Sequence, residues 1–429
     1  MYLNKIVIQN IRAIKEFEMT FEQGNQAGWH VIIGENGAGK STVVRSIALA
    51  IIGPYDSKSL RLNLKEWIRK NSTQDSYVSL NVLKHEQDSY SGKSRPITKP
   101  FEAGLTIKND KSVPYLEAFG SSAADKHIWS NAGGWFSAAF GPFRRFTGGE
   151  KDWMKVYYSE PRAASHLSAF GEDVALTEAI EWLKEINYKR LEKASSGDSQ
   201  GESTLLTNLV KFLNEGGLLP HGTKIKEITS EGILFIDGNG FDIDVTQLSD
   251  GFRSLLSLTF ELLRQLVRTY GQEAVFANYD ETKSIDLPGV ILIDEIDAHL
   301  HPTWQTRIGE WFTSCFPKIQ FIVTTHSPLI CRASRNGSVW YLPAPGSGAK
   351  GEKLIGKEYL RLIYGDILDA YSTEVFGENV TQSASGQELL QQVAQLSLKS
   401  FKGEISDDEK KQLNELKSIM PTADNDIIK

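Results

Sequence analysis

A short glycine-rich segment near the start of the chain has the residue types and spacing of a phosphate-binding loop. Residues 34–41 read Gly-Glu-Asn-Gly-Ala-Gly-Lys-Ser and fit the pattern G-x-x-x-x-G-K-[ST]. Glycines allow backbone amides to point at phosphate oxygens, and the start of the following helix adds partial positive charge. In this pattern the lysine reaches the β- and γ-phosphates of ATP and the hydroxyl binds Mg²⁺. The predicted ATP-binding residues are Gly34, Glu35, Asn36, Gly37, Ala38, Gly39, Lys40, Ser41 and Thr42.

Two acidic residues follow an apolar run in the second half of the chain. Residues 290–293 are Val-Ile-Leu-Ile, and Asp294 and Glu295 come next. A strand of a parallel sheet delivers its carboxyl end to the ligand crevice. Because a phosphate loop is also present, we predict that Asp294, with Ser41, holds Mg²⁺ and that Glu295 polarises the water that attacks the γ-phosphate. The alternative is a strand that simply ends in solvated acids.

His326 follows another apolar run, residues 321–323. A histidine at this place can contact the γ-phosphate, although a lone histidine at a strand end is more often structural. We assign His326 to the catalytic set with Lys40 and Glu295, because the other parts of a nucleotide site accompany it.

Residues 248–251, Leu-Ser-Asp-Gly, stand at the start of a predicted helix over residues 251–270. Ser249 or Asp250 suits an ordinary helix N-cap. The same geometry creates an anion site at a helix start, so a capping role and a functional role are compatible. The candidate nucleotide contacts of this segment are Leu248, Ser249, Asp250 and Gly251.

Composition restricts the class of protein. The 429 residues include 47 Lys+Arg and 54 Asp+Glu, and the net charge of −7 excludes a strongly basic nucleic-acid coat but not a local basic groove. Two cysteines outside any Cys-x-x-Cys pair argue against a disulfide framework and a cysteine zinc site. The first residues lack the layout of a secretory signal, and no apolar run approaches a membrane span of about 18 residues. We expect a soluble cytoplasmic protein with no membrane partner.

Apolar periodicity places these motifs on alternating strands and helices, which predicts an α/β fold. Asp237-Gly-Asn-Gly240 predicts a hairpin turn. Ser406-Asp-Asp-Glu409 is a capping box that marks the start of a helix. The predicted strands include residues 17–21, 29–33, 77–83, 290–293 and 321–323, and the predicted helices include 41–52, 172–193, 251–270 and 386–398.

The order of the motifs resembles that of ABC-type ATPase heads: a phosphate loop, Leu-Ser-x-Gly, Asp-Glu after a strand, then a histidine after the next strand. The opening, with Asn10-Ile-Arg12 between two strands, looks like the RecF, SMC and OLD branch. The resemblance implies a two-lobed α/β P-loop head with a mixed sheet, a helical insertion and a short helical C-terminal tail. It also implies that two heads enclose two ATP molecules, so that Ser249 and Gly251 contact the ATP of a second copy.

Four segments carry a narrower resemblance, to the ATPases of Septu and retron-associated antiphage systems. This resemblance implies that the chain is a sensor or regulatory subunit that binds and hydrolyses ATP and forms head–head dimers or larger oligomers. It also implies that the chain controls a separate HNH-type nuclease without being a nuclease itself. Two alternatives stay open: a RecF-like DNA-binding ATPase of DNA repair, and an ATP-gated scaffold with little turnover. The segments are Phe-Gly-Pro-Phe-Arg-Arg-Phe-Thr-Gly-Gly from Phe140, Leu-Thr-Glu-Ala-Ile-Glu-Trp-Leu from Leu176, Leu-Ser-Asp-Gly-Phe-Arg-Ser-Leu from Leu248 and His-Leu-His-Pro from His299.

The chain also departs from ABC heads. The long segment between Ser41 and Leu248 lacks the heptads of a coiled-coil arm. His301 stands where many heads have an aspartate, which leaves the usual inter-subunit contact there open. We predict four divisions. Lobe I, over residues 1–170, contains the phosphate loop and antiparallel strands, and a helical insertion covers 171–235. Lobe II, over 236–345, contains the signature (residues 248–251), the acid pair and the histidine, and a C-terminal helical region covers 346–429.

Two basic clusters are candidates for nucleic-acid contact despite the acidic total. The plain interpretation is a solvated helix face for the first cluster and a structural or nucleotide-contacting loop for the second. Arg144 and Arg145 are therefore candidates either for DNA contact or for regulation of the ATP site. The first cluster comprises Lys58, Arg61, Lys65, Arg69 and Lys70, and the second comprises Arg144, Arg145, Lys151 and Arg162.

Two further patterns resemble metal sites only superficially. His299-x-His301 has no cysteine or third ligand nearby, so we do not predict a metal there. Asp242-Ile-Asp244 has the spacing of a nuclease acid pair, but it lies in the predicted hairpin, and we interpret it as the edge of a strand.

Overall fold

The structure, a computed structural model, divides the chain into two compact units. One unit contains residues 1–364 and the other contains residues 365–429. No helix among the described residues is long and apolar enough to cross a membrane. The described residues are 1–70, 72, 74–89, 97, 99–110, 113–129, 134–144, 160–171, 178–196, 202–371, 373–376 and 384–419.

An antiparallel sheet occupies the first part of the chain. Phe17 and Met19 are buried between exposed neighbours, which is the period-two pattern predicted for residues 17–21 and expected of a sheet with one buried face. Neighbouring strands pair through residues such as Ile8 and Phe17. The strands lie in the order β2 (Ile14–Thr20), β1 (Tyr2–Ile11), β4 (Ser76–Leu83), β5 (Phe101–Asp110) and β6 (Val113–Gly120).

A six-stranded sheet positions the predicted catalytic motifs. Its central strands are buried along their whole length, as the continuous apolar runs of parallel strands predict. Ile293 lies beside Val323, and Val323 lies beside Val31, so three strands end at one edge. The first strand is antiparallel to its neighbour and the others are parallel. In order, they are β14 (Glu352–Lys353), β13 (Gly337–Leu342), β3 (Gly28–Gly34), β12 (Ile319–Thr324), β11 (Gly289–Ile293) and β7 (Ser137–Phe140).

The helix after the phosphate loop packs between the two sheets. α1 (Lys40–Asp56) contacts strands of both, and its apolar residues Val43, Val44 and Ile47 are fully buried. Burial on all sides anchors the first turn of α1, so the phosphate loop that precedes it has a fixed position.

The first unit contains further helices among its described residues. They are α2 (Ser122–Ala124), α3 (Pro161–His166), α4 (Glu178–Ser196), α5 (Glu202–Glu215), α6 (Asp250–Tyr270), α7 (Gln272–Phe276), α8 (Tyr279–Thr282), α9 (Pro302–Gln305), α10 (Ile308–Cys315) and α11 (Gly356–Tyr364). Short 3₁₀ segments cover Ser57–Leu60, Leu64–Glu66, Leu167–Ala169, Val245–Gln247 and Pro328–Asn336, and a π-helical turn covers Asp125–Trp129.

The predicted helical insertion over residues 171–235 is only partly helical. α4 and α5 supply its helices, and residues 172–177 of the predicted helix lie outside the described residues. A three-stranded antiparallel sheet follows, formed by the short strands β8 (Lys224–Ile228), β9 (Ile233–Ile236) and β10 (Asp242–Asp244). The predicted turn joins β9 to β10, where the Asp237 carboxylate accepts the amides of Asn239 and Phe241 at 2.9 and 2.8 Å.

The C-terminal boundary predicted at residue 346 lies too early. The glycine-rich loop that suggests a linker is a turn between β13 and β14, and both strands belong to the six-stranded sheet. The second unit contains α12 (Ile367–Tyr371), a 3₁₀ turn at Glu374–Phe376, α13 (Ala384–Lys402) and α14 (Asp407–Ile419). The predicted capping box is confirmed, since the Glu409 amide donates to Ser406 Oγ at 3.2 Å and the Ser406 amide donates to Glu409 Oε2 at 2.9 Å.

Candidate functional site

The phosphate loop connects β3 to α1 with two residues in the left-handed region. Gly37 has φ +81° and Gly39 has φ +104°, conformations that favour glycine over every other residue. The Lys40 side chain folds back over the loop, where its ammonium donates to the carbonyl oxygens of Gly34 at 2.7 Å and Glu35 at 3.0 Å. The loop is therefore preformed, with its lysine lying across the space that the backbone encloses.

Lys40 and His326 meet at this edge of the sheet. Lys40 Nζ lies 3.4 Å from His326 Nδ1. Burial lowers the pKa of Lys40 to about 8, although the carboxylates of Glu295 and Asp294 favour its charged form. Burial and the nearby Lys40 also lower the pKa of His326. Both effects on His326 favour its neutral form, whereas the carboxylates of Glu295 and Asp294 oppose the burial of Lys40 and favour its charged form.

The acid pair lies at the end of β11 and is held by the end of β12. Thr324 Oγ1 donates to Asp294 Oδ1 at 2.6 Å and accepts the Glu295 amide at 2.8 Å. The other Asp294 oxygen, Oδ2, is buried and has no hydrogen-bond partner among the described residues. Glu295 has φ +47°, an unfavourable conformation for a residue with a side chain. One threonine thus holds the Asp294 carboxylate and the main chain of Glu295.

Arg144 is buried behind the acid pair, which contradicts the prediction of DNA contact by this residue. Its side chain is only 5% exposed, because its guanidinium lies between β7, the acid pair and α6. The guanidinium donates to the carbonyl oxygens of Gly141, Asp294 and Glu295 at 2.8, 2.9 and 3.1 Å, and to Ser254 Oγ at 3.0 Å. Arg145 lies outside the described residues.

The predicted signature segment begins α6. Ser249 is the N-cap residue by backbone position, but its side chain makes no capping hydrogen bond, and Asp250 pairs with Arg253. A Cβ at Gly251 would overlap the carbonyl oxygen of His299, so glycine permits a close approach of the two backbones. A cavity of about 580 Å³ opens here, and its described lining contains no phosphate-loop residue: Ser249, Asp250, Gly251, Phe252, Leu255, His299, Leu300, His301 and Trp304.

Four of the five residues of the first basic cluster lie at the surface. Lys58, Arg61, Lys65 and Lys70 are exposed. Arg69 differs, because its guanidinium donates to the Ala13 carbonyl oxygen at 2.5 Å and so stabilises the β1–β2 turn. Nucleic-acid contact by the four exposed residues stays a prediction. In the second cluster, Lys151 lies outside the described residues, and Arg162 packs over the Trp135 ring at 5.1 Å.

The two metal-like patterns have structural roles. The His301 ring accepts the Thr303 amide and caps α9. Asp242 and Asp244 lie on the edge strand β10, where Asp242 pairs with Lys226 at 2.5 Å. Over the described ranges, no group of three or more His, Cys, Asp or Glu side chains is arranged to hold a metal ion.

Sequence reasoning missed two hydroxyl groups of the site. Thr324 ends β12, and Ser254 lies three residues after Gly251 on α6. A hydroxyl at the end of a buried strand next to the acid strand is a signal that could have identified Thr324. Ser254 carries no such signal, because its partner Arg144 is distant in sequence.

Two family models match the chain. One, described as AAA domain, matches residues 5–231, which include the phosphate loop. The other, described as AAA domain, putative AbiEii toxin, Type IV TA system, matches residues 157–332, which include the signature segment, the acid pair and His326.

Similar proteins are named for Septu and retron systems. The chain is 25% identical over 342 residues to the Septu protein PtuA of Bacillus mycoides (strain KBAB4), covering 79% of this chain and 40% of that protein. It is 38% identical over 109 residues to the Retron Ec83 probable ATPase of Escherichia coli, covering 25% of this chain and 19% of that protein. It is 24% identical over 392 residues to the Retron Vc95 probable ATPase of Vibrio cholerae serotype O1 biovar El Tor, covering 76% of this chain and 71% of that protein. The chain thus spans less than half of the first two relatives.

Among solved structures, the chain is similar to an SMC head bound to the C-winged helix domain of ScpA. The TM-score is 0.49 and the sequence identity is 15%, over 84% of this chain and 100% of that one.

Proposed function

This chain belongs to the AAA domain family, and on that premise we propose that it binds and hydrolyses ATP as the regulatory subunit of an antiphage defence system. One observation carries the proposal. Lys40, His326 and the pair Asp294–Glu295 meet where three adjacent parallel strands end. The family descriptions and the names of the relatives support ATPase activity.

Each residue of this cluster has a role in attack by water on the γ-phosphorus. Glu295 orients the water and accepts its proton, and the bond from phosphorus to the bridging oxygen breaks to release ADP. The Lys40 ammonium leaves the loop carbonyls to bind phosphate oxygens and stabilise their charge. His326 lies beside Lys40 and contacts the transferred group.

The residues fit a magnesium ion. Within the part of the chain that the structure describes, Asp294 Oδ2 is a buried carboxylate oxygen without a hydrogen-bond partner, and such an atom is costly to bury unless a ligand or water binds it. Ser41 follows Lys40 at the start of α1 and supplies the second oxygen that the pattern requires. When bound, Mg²⁺ neutralises part of the phosphate charge.

A second copy completes the site. The cavity at Ser249 and Gly251 is lined without the phosphate loop, which is expected if this surface receives the nucleotide of another chain. Ser249 is exposed and its hydroxyl is not used as a cap, so it is available to a phosphate oxygen. ATP then holds two heads together, and hydrolysis releases them.

The proposed partner is a separate HNH-type nuclease. This part of the proposal comes from the resemblance to Septu and retron ATPases, and relatives of the chain are named for those systems. We propose that the ATP-dependent assembly of heads sets whether the nuclease is active, and that the chain contributes no nuclease chemistry of its own.

Copurification tests the proposal as a whole. The full chain is expressed with the proposed HNH-type nuclease partner, and the mass of the complex and the release of phosphate are measured with and without ATP and Mg²⁺. We expect a stable complex, ATP turnover, and a larger assembly with ATP. A wild-type chain that neither hydrolyses ATP nor changes mass with it would contradict the ATPase proposal, and a chain that purifies alone would contradict the nuclease partnership.

A further inference from the structure

Arg144 joins the acid pair to α6, the signature helix, through hydrogen bonds at both ends of its guanidinium. On one side, its terminal nitrogens donate to the main-chain oxygens of Asp294 and Glu295. On the other side, Nε donates to Ser254 Oγ, one turn into α6. Ser254 is itself buried, so water does not compete for this bond.

The bonded carbonyl groups belong to a strained part of the backbone. Glu295 has φ +47°, a conformation that persists only where the surroundings impose it. Thr324 fixes the Glu295 amide, and Arg144 fixes its carbonyl oxygen. The direction of the Glu295 side chain therefore depends on where the Arg144 guanidinium lies.

A second contact ties the same two elements together. Gly251 lies against the His299 carbonyl so closely that a Cβ would overlap it. The start of α6 cannot shift without moving the segment that follows the acid pair. The Ser254–Arg144 bond and the Gly251–His299 contact lie within one turn of α6, next to Ser249.

We propose that Arg144 is a positioning residue that transmits engagement of the signature helix to Glu295 of the same chain. The inference rests on the proposed function, in which Ser249 and Gly251 contact ATP held by a second copy. Binding of that ATP displaces the start of α6, and the Ser254–Arg144 bond passes the displacement to the carbonyl groups of Asp294 and Glu295. ATP in one copy thereby sets the catalytic glutamate of the other, and the two sites hydrolyse cooperatively.

Arginine suits this role for a geometric reason. Its planar guanidinium presents donors in a fixed fork and reaches four acceptors at once. A lysine ammonium is a compact point charge on a flexible stem, so it cannot span the carbonyl of Gly141, the acid pair and Ser254 in one position. We therefore expect Arg144→Lys to break the connection between α6 and Glu295, although it keeps the positive charge.

Ser254→Ala tests the connection without removing the buried charge. Ser257→Ala is the matched control, because Ser257 is a fully buried serine one turn further along α6 that donates to the Ser254 carbonyl oxygen and makes no bond to Arg144 among the described residues. Hydrogen exchange of the peptide covering residues 294–299 and steady-state ATP hydrolysis are measured on the full chains. We expect Ser254→Ala to speed exchange of that peptide, to lower kcat about tenfold with KM within about twofold, and to reduce the Hill coefficient for ATP to one.

The outcomes separate this inference from the proposed function. If Ser254→Ala matches Ser257→Ala in exchange, kcat and Hill coefficient, the inference is wrong. Faster exchange with unchanged kcat and cooperativity also overturns it, because the bond would then support the fold alone. A wild-type chain without turnover contradicts the proposed function. In that case the hydrogen-exchange rate of residues 294–299, compared with and without ATP in the wild type and in Ser254→Ala, still decides whether α6 and the acid pair are linked.

Discussion

At the level of single residues, the site depends on a glutamate held in an unfavourable backbone conformation. A non-glycine residue at φ +47° costs roughly 1–3 kcal/mol, and here Thr324 and Arg144 hold it there by bonding its amide and its carbonyl. This conformation places the Glu295 carboxylate at the end of β11, on the same edge of the sheet as Lys40 and His326. Replacing the carboxylate with an uncharged group of the same size is therefore the most direct test of its role.

We expect Glu295→Gln to lower kcat by about a hundred- to a thousandfold while ATP still binds, because an amide cannot accept the proton of the attacking water. ATP binding is measured by titration of the full chain with fluorescent ATP, and turnover is measured by phosphate release. Glu310→Gln is a suitable control, since Glu310 is exposed on α10. Full activity of the Glu295→Gln chain would show that this carboxylate is not the catalytic base.

Some of these residues could be predicted from the sequence and others could not. Lys40, Asp294 and Glu295 lie in motifs whose spacing reflects the chemistry itself, so pattern alone indicates them. Arg144 lies next to another arginine among aromatic residues, which suggests a surface that binds DNA. Its burial follows from packing against β11 and α6, which lie far along the chain, and no local pattern reports such packing.

At the level of elements, the six-stranded sheet contains a buried histidine that joins two strands. His30 on β3 donates from Nε2 to the Gln26 carbonyl oxygen at 2.9 Å, and its Nδ1 accepts from Ser338 Oγ on β13 at 2.8 Å. Burial lowers the pKa of His30 to about 4. The neutral ring is therefore part of the folded structure.

This histidine makes the stability of the fold depend on pH. Because its pKa is lower in the folded state than in the unfolded state, its contribution is full above about pH 6.5 and is lost as the pH falls toward 4. Between pH 7.5 and 5.0, we expect the wild type to lose about 2 kcal/mol more unfolding free energy than His30→Gln, measured with urea.

The same comparison contains its own control. His221→Gln, at an exposed position, is expected to follow the wild type at both pH values. Equal losses of unfolding free energy in wild type and His30→Gln would mean that His30 is protonated in the folded state without penalty.

The elements differ in how well sequence could locate them. The buried strands β3, β11 and β12 are short apolar runs, and α6 has an apolar face at helical spacing, so local pattern suffices. β8 has only two buried residues among charged ones, and the sequence pattern places it within a helical insertion. Short strands of this kind are stabilised by pairing with β9 rather than by their own composition.

At the level of the whole chain, contacts between distant segments decide the divisions. The exposed glycine-rich loop near residue 346 suggests a linker, yet β13 pairs in parallel with β3 and extends the sheet that carries the site. Such a pairing joins segments about 300 residues apart and cannot be read from composition around the loop. The last compact unit accordingly begins at residue 365.

The proposed assembly makes each active site the joint property of two chains. A Lys40→Ala chain lacks a working phosphate loop, and a Ser249→Arg chain lacks a working signature. Ser249 is exposed and uncommitted as a cap, so the second change is expected to leave the fold intact. Each variant alone is expected to be inactive, and a mixed dimer contains one complete site, formed by the loop of one chain and the signature of the other.

The decisive measurement is ATP turnover by an equimolar mixture of the Lys40→Ala and Ser249→Arg chains. If sites are shared and chains mix at random, half of the dimers carry one of two complete sites, so the mixture recovers at most about a quarter of wild-type turnover. The recovery is lower by the factor that the coupling through Arg144 contributes, because the second ATP is missing from the mixed dimer, but it stays above the turnover of either variant alone. A mixture that stays as inactive as the separate variants, beside an active wild type, would contradict a site built from two copies.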